Sequence, residues 1–179
     1  ILLQLKTIGI NDVLNFNYLQ APSRDSLKRA LQQLLMLGAV DRRSGALTAL
    51  GRSMATLPLD PVYARLLILS KDFHCTAEIL DIVAVLSVET IFYSPREERE
   101  KANVSHRRFA SVYGDHLTFL NVFQAYREAR GSQQWCYDNF INPRSMKTAM
   151  EIRKQLVGYC EKLGIGEASC EGELDQVRR

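Results

Sequence analysis

A chain of 179 residues that is 46% hydrophobic and 24% charged, with Gly 10 and Pro 5, has the composition of an ordinary globular protein and enough length to bury a core. The longest apolar run, Ile79 to Val88, is broken by Asp81 and Ser87 and falls well short of the roughly 20 residues that cross a bilayer, so a membrane-spanning helix is excluded. A formal net charge of +3 is too small to name a partner by itself.

The chain begins at Ile1 with no charged start, apolar stretch and cleavage site, and it reads as a piece of something longer. Cys75, Cys136, Cys160 and Cys170 show neither the paired spacing of a zinc site nor a disulfide framework, which fits a reducing compartment. Asn103-Val104-Ser105 has the form of a glycosylation acceptor and, without a secretory signal, reads as chance.

Leu2, Leu3, Leu5 and Ile8 form the end of a first helix that Gly9 stops. After a polar and aromatic connection to Pro22, Ser23 caps a second helix with Leu27, Ala30, Leu31, Leu34 and Leu35 on one face, closed by Gly38. Ala39 to Asp41 and Ala46 to Thr48, joined by Arg42-Arg43-Ser44-Gly45, form a small hairpin, and a short helix from Leu50 to Thr56 ends before Pro58. Residues 1–58 therefore have the element order of a winged-helix unit, a fold that binds nucleic acid or protein or merely acts as a spacer.

Beyond Pro58 and Pro61 the pattern is helical throughout. Val62 to Leu69 and Ala77 to Val88 are apolar on most faces and read as the centre of a bundle. The charged stretch from Pro95 to Arg108 reads as a mobile loop or exposed turn. Asp115 caps a helix running to about Arg130, a short aromatic helix covers Gln134 to Ile141, and a longer one runs from about Arg144 to Leu163 with Pro143 at its entrance. The fold class is mainly α, a winged-helix unit with a small β-hairpin in residues 1–58 followed by a helical bundle in 59–163, with an acidic tail in 164–179.

No motif for catalysis stands out. His74 and Cys75 are adjacent and point apart on a helix, Asp115 with His116 has a capping explanation, and no GxxxxGK[ST] segment offers a cradle for nucleotide phosphates. No catalytic residue, metal ligand or cofactor is assigned to this stretch. Between Arg127 and Lys162 there are seven Lys or Arg against four Asp or Glu, an excess that a solvated helix face also explains. Trp135, Tyr137 and Phe140 could stack on bases, although helical spacing makes Trp135 and Phe140 core residues. At the start of the last long helix, Asn142, Arg144, Ser145 and Lys147 place an amide, a hydroxyl and two cations within one turn of free N–H groups, parts that suit a phosphate oxygen and equally suit simple capping.

Several fragments, in order and at their spacing, resemble the C-terminal helicase-associated region of DEAH-box ATP-dependent RNA helicases of the pre-mRNA-splicing and ribosome-biogenesis type. They include Leu47-Thr48 with Leu50-Gly51-Arg52, Leu57-Pro58-Leu59-Asp60-Pro61, Leu86-Ser87-Val88, Phe92-Tyr93, Gly114-Asp115-His116-Leu117-Thr118, Trp135-Cys136 with Asn139-Phe140, and Arg153 with Gln155-Leu156. The resemblance implies a winged-helix domain and a ratchet-like helical bundle, with the tail leading toward an OB-fold. It implies a non-catalytic segment of an RNA helicase, one wall of a channel for single-stranded RNA, with Asn142, Arg144, Ser145 and Lys147 facing the strand. ATP and magnesium belong to the parent's RecA-like motor domains by that resemblance. Those domains, the OB-fold and a protein activator or ribonucleoprotein are the implied partners; no membrane is implied, and the implied location is nuclear (nucleoplasm or nucleolus), with the cytoplasm as a further compartment. The alternative reading is a scaffold that links the motor domains to partner factors. A DNA-binding winged helix finds only Lys28 and Arg29 in its favour.

Overall fold

The computed structural model describes residues 1–178, with the side chain of Leu174 left aside; Arg179, the last residue of the expected tail, lies outside the described residues. The chain forms two compact units, Ile1–Leu69 and Ser70–Arg179.

The first unit contains α1 (Leu2–Thr7), α2 (Arg24–Met36), α3 (Ala49–Thr56) and α4 (Pro61–Leu69). Local chemistry sets the ends of α2. The Ser23 hydroxyl accepts from Ser26 N, and at the other end Gly38 N and Ala39 N donate to Leu35 O and Leu34 O while Gly38 adopts φ +68, the left-handed closure that glycine permits. Only Leu27 and Leu34 of its apolar stripe are fully buried. The hairpin is reduced to one antiparallel bridge, Val40 with Leu47, flanked by Asp41 N to Ala46 O and Thr48 N to Ala39 O. Its turn is organised by the Asp41 carboxylate, which accepts from Arg43 N, Ser44 N and the Ser44 hydroxyl. Gly51, buried in α3, lies against this hairpin so closely that a Cβ would come within 2.0 Å of Ala39 O.

Helix α4 differs from its sequence reading as part of the bundle centre. It packs on α3, burying Ala64 and Leu67 and leaving Val62 and Leu66 exposed. The break in the chain at Pro58 and Pro61 therefore precedes the division between the compact units by one helix.

The second unit is built around α5 (Thr76–Leu86), on which α7 (Asp115–Glu128) and α9 (Pro143–Lys162) pack. Residues 76 and 78–85 of α5 are all buried, as an almost wholly apolar helix requires. Phe123, Val122, Ile141 and Met146 close the core around it at 0% exposure, each such side chain contributing about 1.5–3 kcal/mol of burial. Trp135, on α8 (Gln133–Asp138), packs against that core, edge-on to Phe109.

The stretch 95–108, read from its charges as a loop, is a short 3-10 turn followed by α6 (Arg99–Arg107). Ala102 and Ser105 face inward at helical spacing, and that narrow stripe suffices to seat a helix whose other faces are charged. Asp115 is the first residue of α7 instead of its cap; Gly114 occupies the cap position at φ +110 without a side-chain bond. The tail folds back on this unit. Ala77 N donates to Ala168 O, the Ser169 hydroxyl and Cys170 N donate to the buried Glu78 carboxylate, and a last helix, α10 (Leu174–Arg178), follows.

Candidate nucleic-acid interface

The entrance to α9 is held from two sides. Phe92 bridges Ile141 in antiparallel fashion, Tyr93 N donates to Phe140 O at 3.2 Å and Asn142 N to Ile91 O at 2.7 Å, so residues 91–93 pin the chain just before the helix. The Asn142 side-chain oxygen then accepts from Arg144 N at 3.0 Å and Ser145 N at 3.3 Å, Met146 N bonds to Asn142 O, and Pro143 at the first position has no N–H to satisfy. This corrects the expectation of free N–H groups for an anion, because the helix has consumed its own donors. Ser145 is also committed. It is buried, and its hydroxyl donates to Thr90 O at 3.3 Å.

Arg144 and Lys147 remain. Both are exposed, and neither side chain has a hydrogen-bond or ion-pair partner among the described residues. Of the four residues singled out in the sequence, two build the turn and two face solvent from it. One helical face continues from them through Glu151 to Lys154, at offsets of three, seven and ten from Arg144, a spread of about 15 Å along the axis.

Lys147 and Lys154 line a groove of about 570 Å³ with Arg127, Met150, Glu151, Arg153, Val157 and Glu167. Beneath it, Asp81 of α5, with its side chain 3% exposed, accepts from Arg153 of α9 and from Arg127 of α7 at 3.2 Å, and Arg153 also donates to Glu167 at 2.8 Å. Burial pushes the Asp81 carboxyl up from its ordinary value, and the two guanidiniums act against that push. Arg153 shifts upward despite its own burial, because Asp81 and then Glu167 hold its charge, and we take the pair as ionised. Arg127, Arg153 and Lys154 are the groove cations that sequence reading did not select as site residues. Lys154 could have been found from the seven-residue offset to Lys147, whereas Arg127 reaches the groove only through tertiary packing.

The cysteines carry no reactive chemistry. All four are buried free thiols, and burial pushes Cys75, Cys136 and Cys160 up to about 11. His74 sits exposed at φ +52 beside the buried Cys75, whose thiol contacts Ser70 O, so the two form no dyad. Among the described residues no group of three or more His, Cys, Asp or Glu is placed to hold a metal ion.

Residues 30–59 match the model of the helicase associated domain (HA2), winged-helix, and residues 60–119 that of the helicase associated domain (HA2), ratchet-like. The chain belongs to the HA2 helicase-associated family. The junction between the two HA2 models falls between Leu59 and Asp60, where the chain breaks at Pro58 and Pro61. Similarity along the whole of this chain extends to segments of curated ATP-dependent RNA helicases. The chain is 42% identical over 193 residues to the pre-mRNA-splicing factor ATP-dependent RNA helicase DEAH10 of Arabidopsis thaliana, covering all of this chain and 27% of that protein. It is 38% identical over 181 residues to the ATP-dependent RNA helicase DHX33 of Homo sapiens and of Mus musculus, covering all of this chain and 26% of each. The chain thus spans about a quarter of the length of the curated relatives it matches. An HA2 region is an accessory of the helicase and not its catalytic motor. The entrance to α9 lies beyond the two HA2 matches and within the alignments to the helicases.

Proposed function

We propose that this HA2 region forms one wall of the channel for single-stranded RNA in an ATP-dependent DEAH-box helicase, and that the exposed face of α9 holds the strand by its phosphates. The observation that carries the reading is the pair Arg144 and Lys147, exposed and without partners at the head of a 20-residue helix, with Lys154 further along the same face. Two unpaired cations at the fixed end of a rigid rod attract a polyanion and show no preference among bases, as a translocating strand requires. Asn142 and Ser145 serve by shaping the turn that presents them.

ATP and magnesium enter this reading only through the motor domains of the longer protein. At the α9 entrance Asn142 has taken the N–H groups from which a backbone cradle for nucleotide phosphates would be built. RecA-like motor domains, an OB-fold and a protein activator or ribonucleoprotein are the proposed partners. The plant relative is named a splicing factor, and a nuclear place of work is proposed on that ground.

Titration of the chain with a labelled single-stranded RNA at several salt concentrations tests the reading. Binding is expected to be weak and steeply salt-dependent, and replacing Arg144 and Lys147 together by Ala is expected to flatten the log–log salt slope by about 1.4, near 0.7 per lost phosphate contact. Glu151→Lys, which fills the gap between Lys147 and Lys154, is expected to steepen it. A slope indifferent to all three substitutions overturns the proposal.

A further inference from the structure

Beside the α9 entrance the surface is aromatic. Tyr93 and Phe140 are cross-strand neighbours one step from the Phe92–Ile141 bridge, with ring centroids 5.9 Å apart and planes inclined by 56°. Tyr137, near the end of α8, is 48% exposed, and Gln133 Nε2 donates to its hydroxyl at 2.8 Å, which steadies the ring. Phe140 adopts φ +56, a conformation that bulky residues rarely take, and its carbonyl accepts from both Tyr93 N and His106 Nε2. Its backbone is therefore pinned. Phe92 and Trp135 of the same two segments turn toward the core and pack against it while only partly buried, Tyr93 and Phe140 are likewise half-buried but stand outside that cluster, and Tyr137 is the exposed ring. The nearby carboxylates are engaged: Asp138 accepts from Gln134 and Glu98 from Lys101, at 2.8 and 3.0 Å.

We infer that Tyr137, Tyr93 and Phe140 form a stacking platform for an unpaired nucleobase of the strand whose phosphates Arg144 and Lys147 hold; this rests on the reading of α9 given above. Every base has a π-face, so an aromatic platform adds grip without selecting sequence. Phe140 and Arg144 are separated by four residues, at most about 14 Å of extended chain, so one strand can reach both with a base on one side and its backbone on the other. Cations alone would hold any polyanion. Cations flanked by open aromatic faces favour a single strand, because a duplex keeps its bases inside.

The test uses this chain, a labelled oligouridylate 12-mer and the same sugar–phosphate strand without bases, titrated by fluorescence anisotropy at low and moderate salt. Tyr137→Ala is expected to weaken oligouridylate binding by about 5- to 100-fold with the salt slope unchanged. Tyr137→Trp is expected to retain affinity, Tyr93→Leu to lose part of it, and the abasic strand to bind the parent chain and Tyr137→Ala equally. Unchanged melting temperatures show that the half-exposed Tyr137 variants are folded. If Tyr137→Ala and Tyr93→Leu bind oligouridylate as the parent does while the Arg144→Ala, Lys147→Ala double variant does not, the platform is overturned and the phosphate reading stands. If the double variant also binds like the parent, both fall together.

Discussion

Asp81 of α5 and Arg153 of α9 meet under the cationic groove with side chains 3% and 14% exposed, an ion pair almost withdrawn from water that fastens the central helix to the one bearing the candidate interface. Removing one partner of a buried pair costs about 3–5 kcal/mol where the other charge is left alone, and here Glu167 still faces Arg153 once Asp81 is gone, which holds the loss to the lower end. Asp81→Ala is accordingly expected to destabilise the second unit by about 3 kcal/mol in urea unfolding. Arg127→Ala, whose side chain is 46% exposed, is expected to lose less than about 1 kcal/mol.

Gly51 makes the sharpest steric prediction in the first unit. A Cβ there would sit 2.0 Å from the Ala39 carbonyl oxygen and 2.8 Å from its carbon, and both are backbone atoms that cannot swing aside. Gly51→Ala, otherwise favourable to a helix, is expected to destabilise by about 3 kcal/mol, with loss of the Val40–Leu47 bridge visible in amide exchange.

The buried thiols predict an alkaline limit to stability. Cys75, Cys136 and Cys160 hold their protons to about 11 in the fold, against an ordinary value of 9.0 once unfolded. Above about pH 9 the unfolded chain releases protons that the native state keeps, so this contribution is whole below 9 and is lost between about 9 and 11, at up to about 2.7 kcal/mol per thiol. Thermal melts from pH 8 to 11 should show the decline, and Cys136→Ala should show a shallower one. At pH 8 the native thiols should resist a disulfide reagent that labels them at once in denaturant.

Asn142 separates the scaffold from the grip. Asn142→Ala removes the cap of α9 and is expected to lower stability by about 1 kcal/mol. Asn142→Asp keeps the cap and should leave the melting temperature near that of the parent, yet it sets a negative charge beside Arg144 and Lys147 and should weaken RNA binding. Equal RNA affinity in the parent and Asn142→Asp would count against a phosphate at this turn.

Local signals were legible wherever they acted alone. Ser23 and Gly38 bound α2 because a hydroxyl cap and a left-handed closure need only near neighbours. Helix α6 was hidden because Ala102 and Ser105 are its whole inward stripe and the surrounding run of Arg, Glu and Lys reads as loop. Gly114 displaced Asp115 as the cap of α7, a difference of one residue that composition does not decide. At the candidate interface, the spacing of residues 142–147 marked the capped entrance of α9. The spending of its N–H groups, the Ser145 bond to Thr90 and the arrival of Arg127 in the groove all depend on partners at least 46 residues away or on side-chain geometry.

The bond from His106 to the Phe140 carbonyl ties the chain's most charged stretch to the entrance of α9. Ser105, next to it on α6, donates to Asn139, so two successive residues clamp the two positions that lead into the turn. A factor that levers α6 off its seat would have to unfasten that clamp first, and the tautomer with hydrogen on Nε2, which the carbonyl demands, makes His106 the bolt.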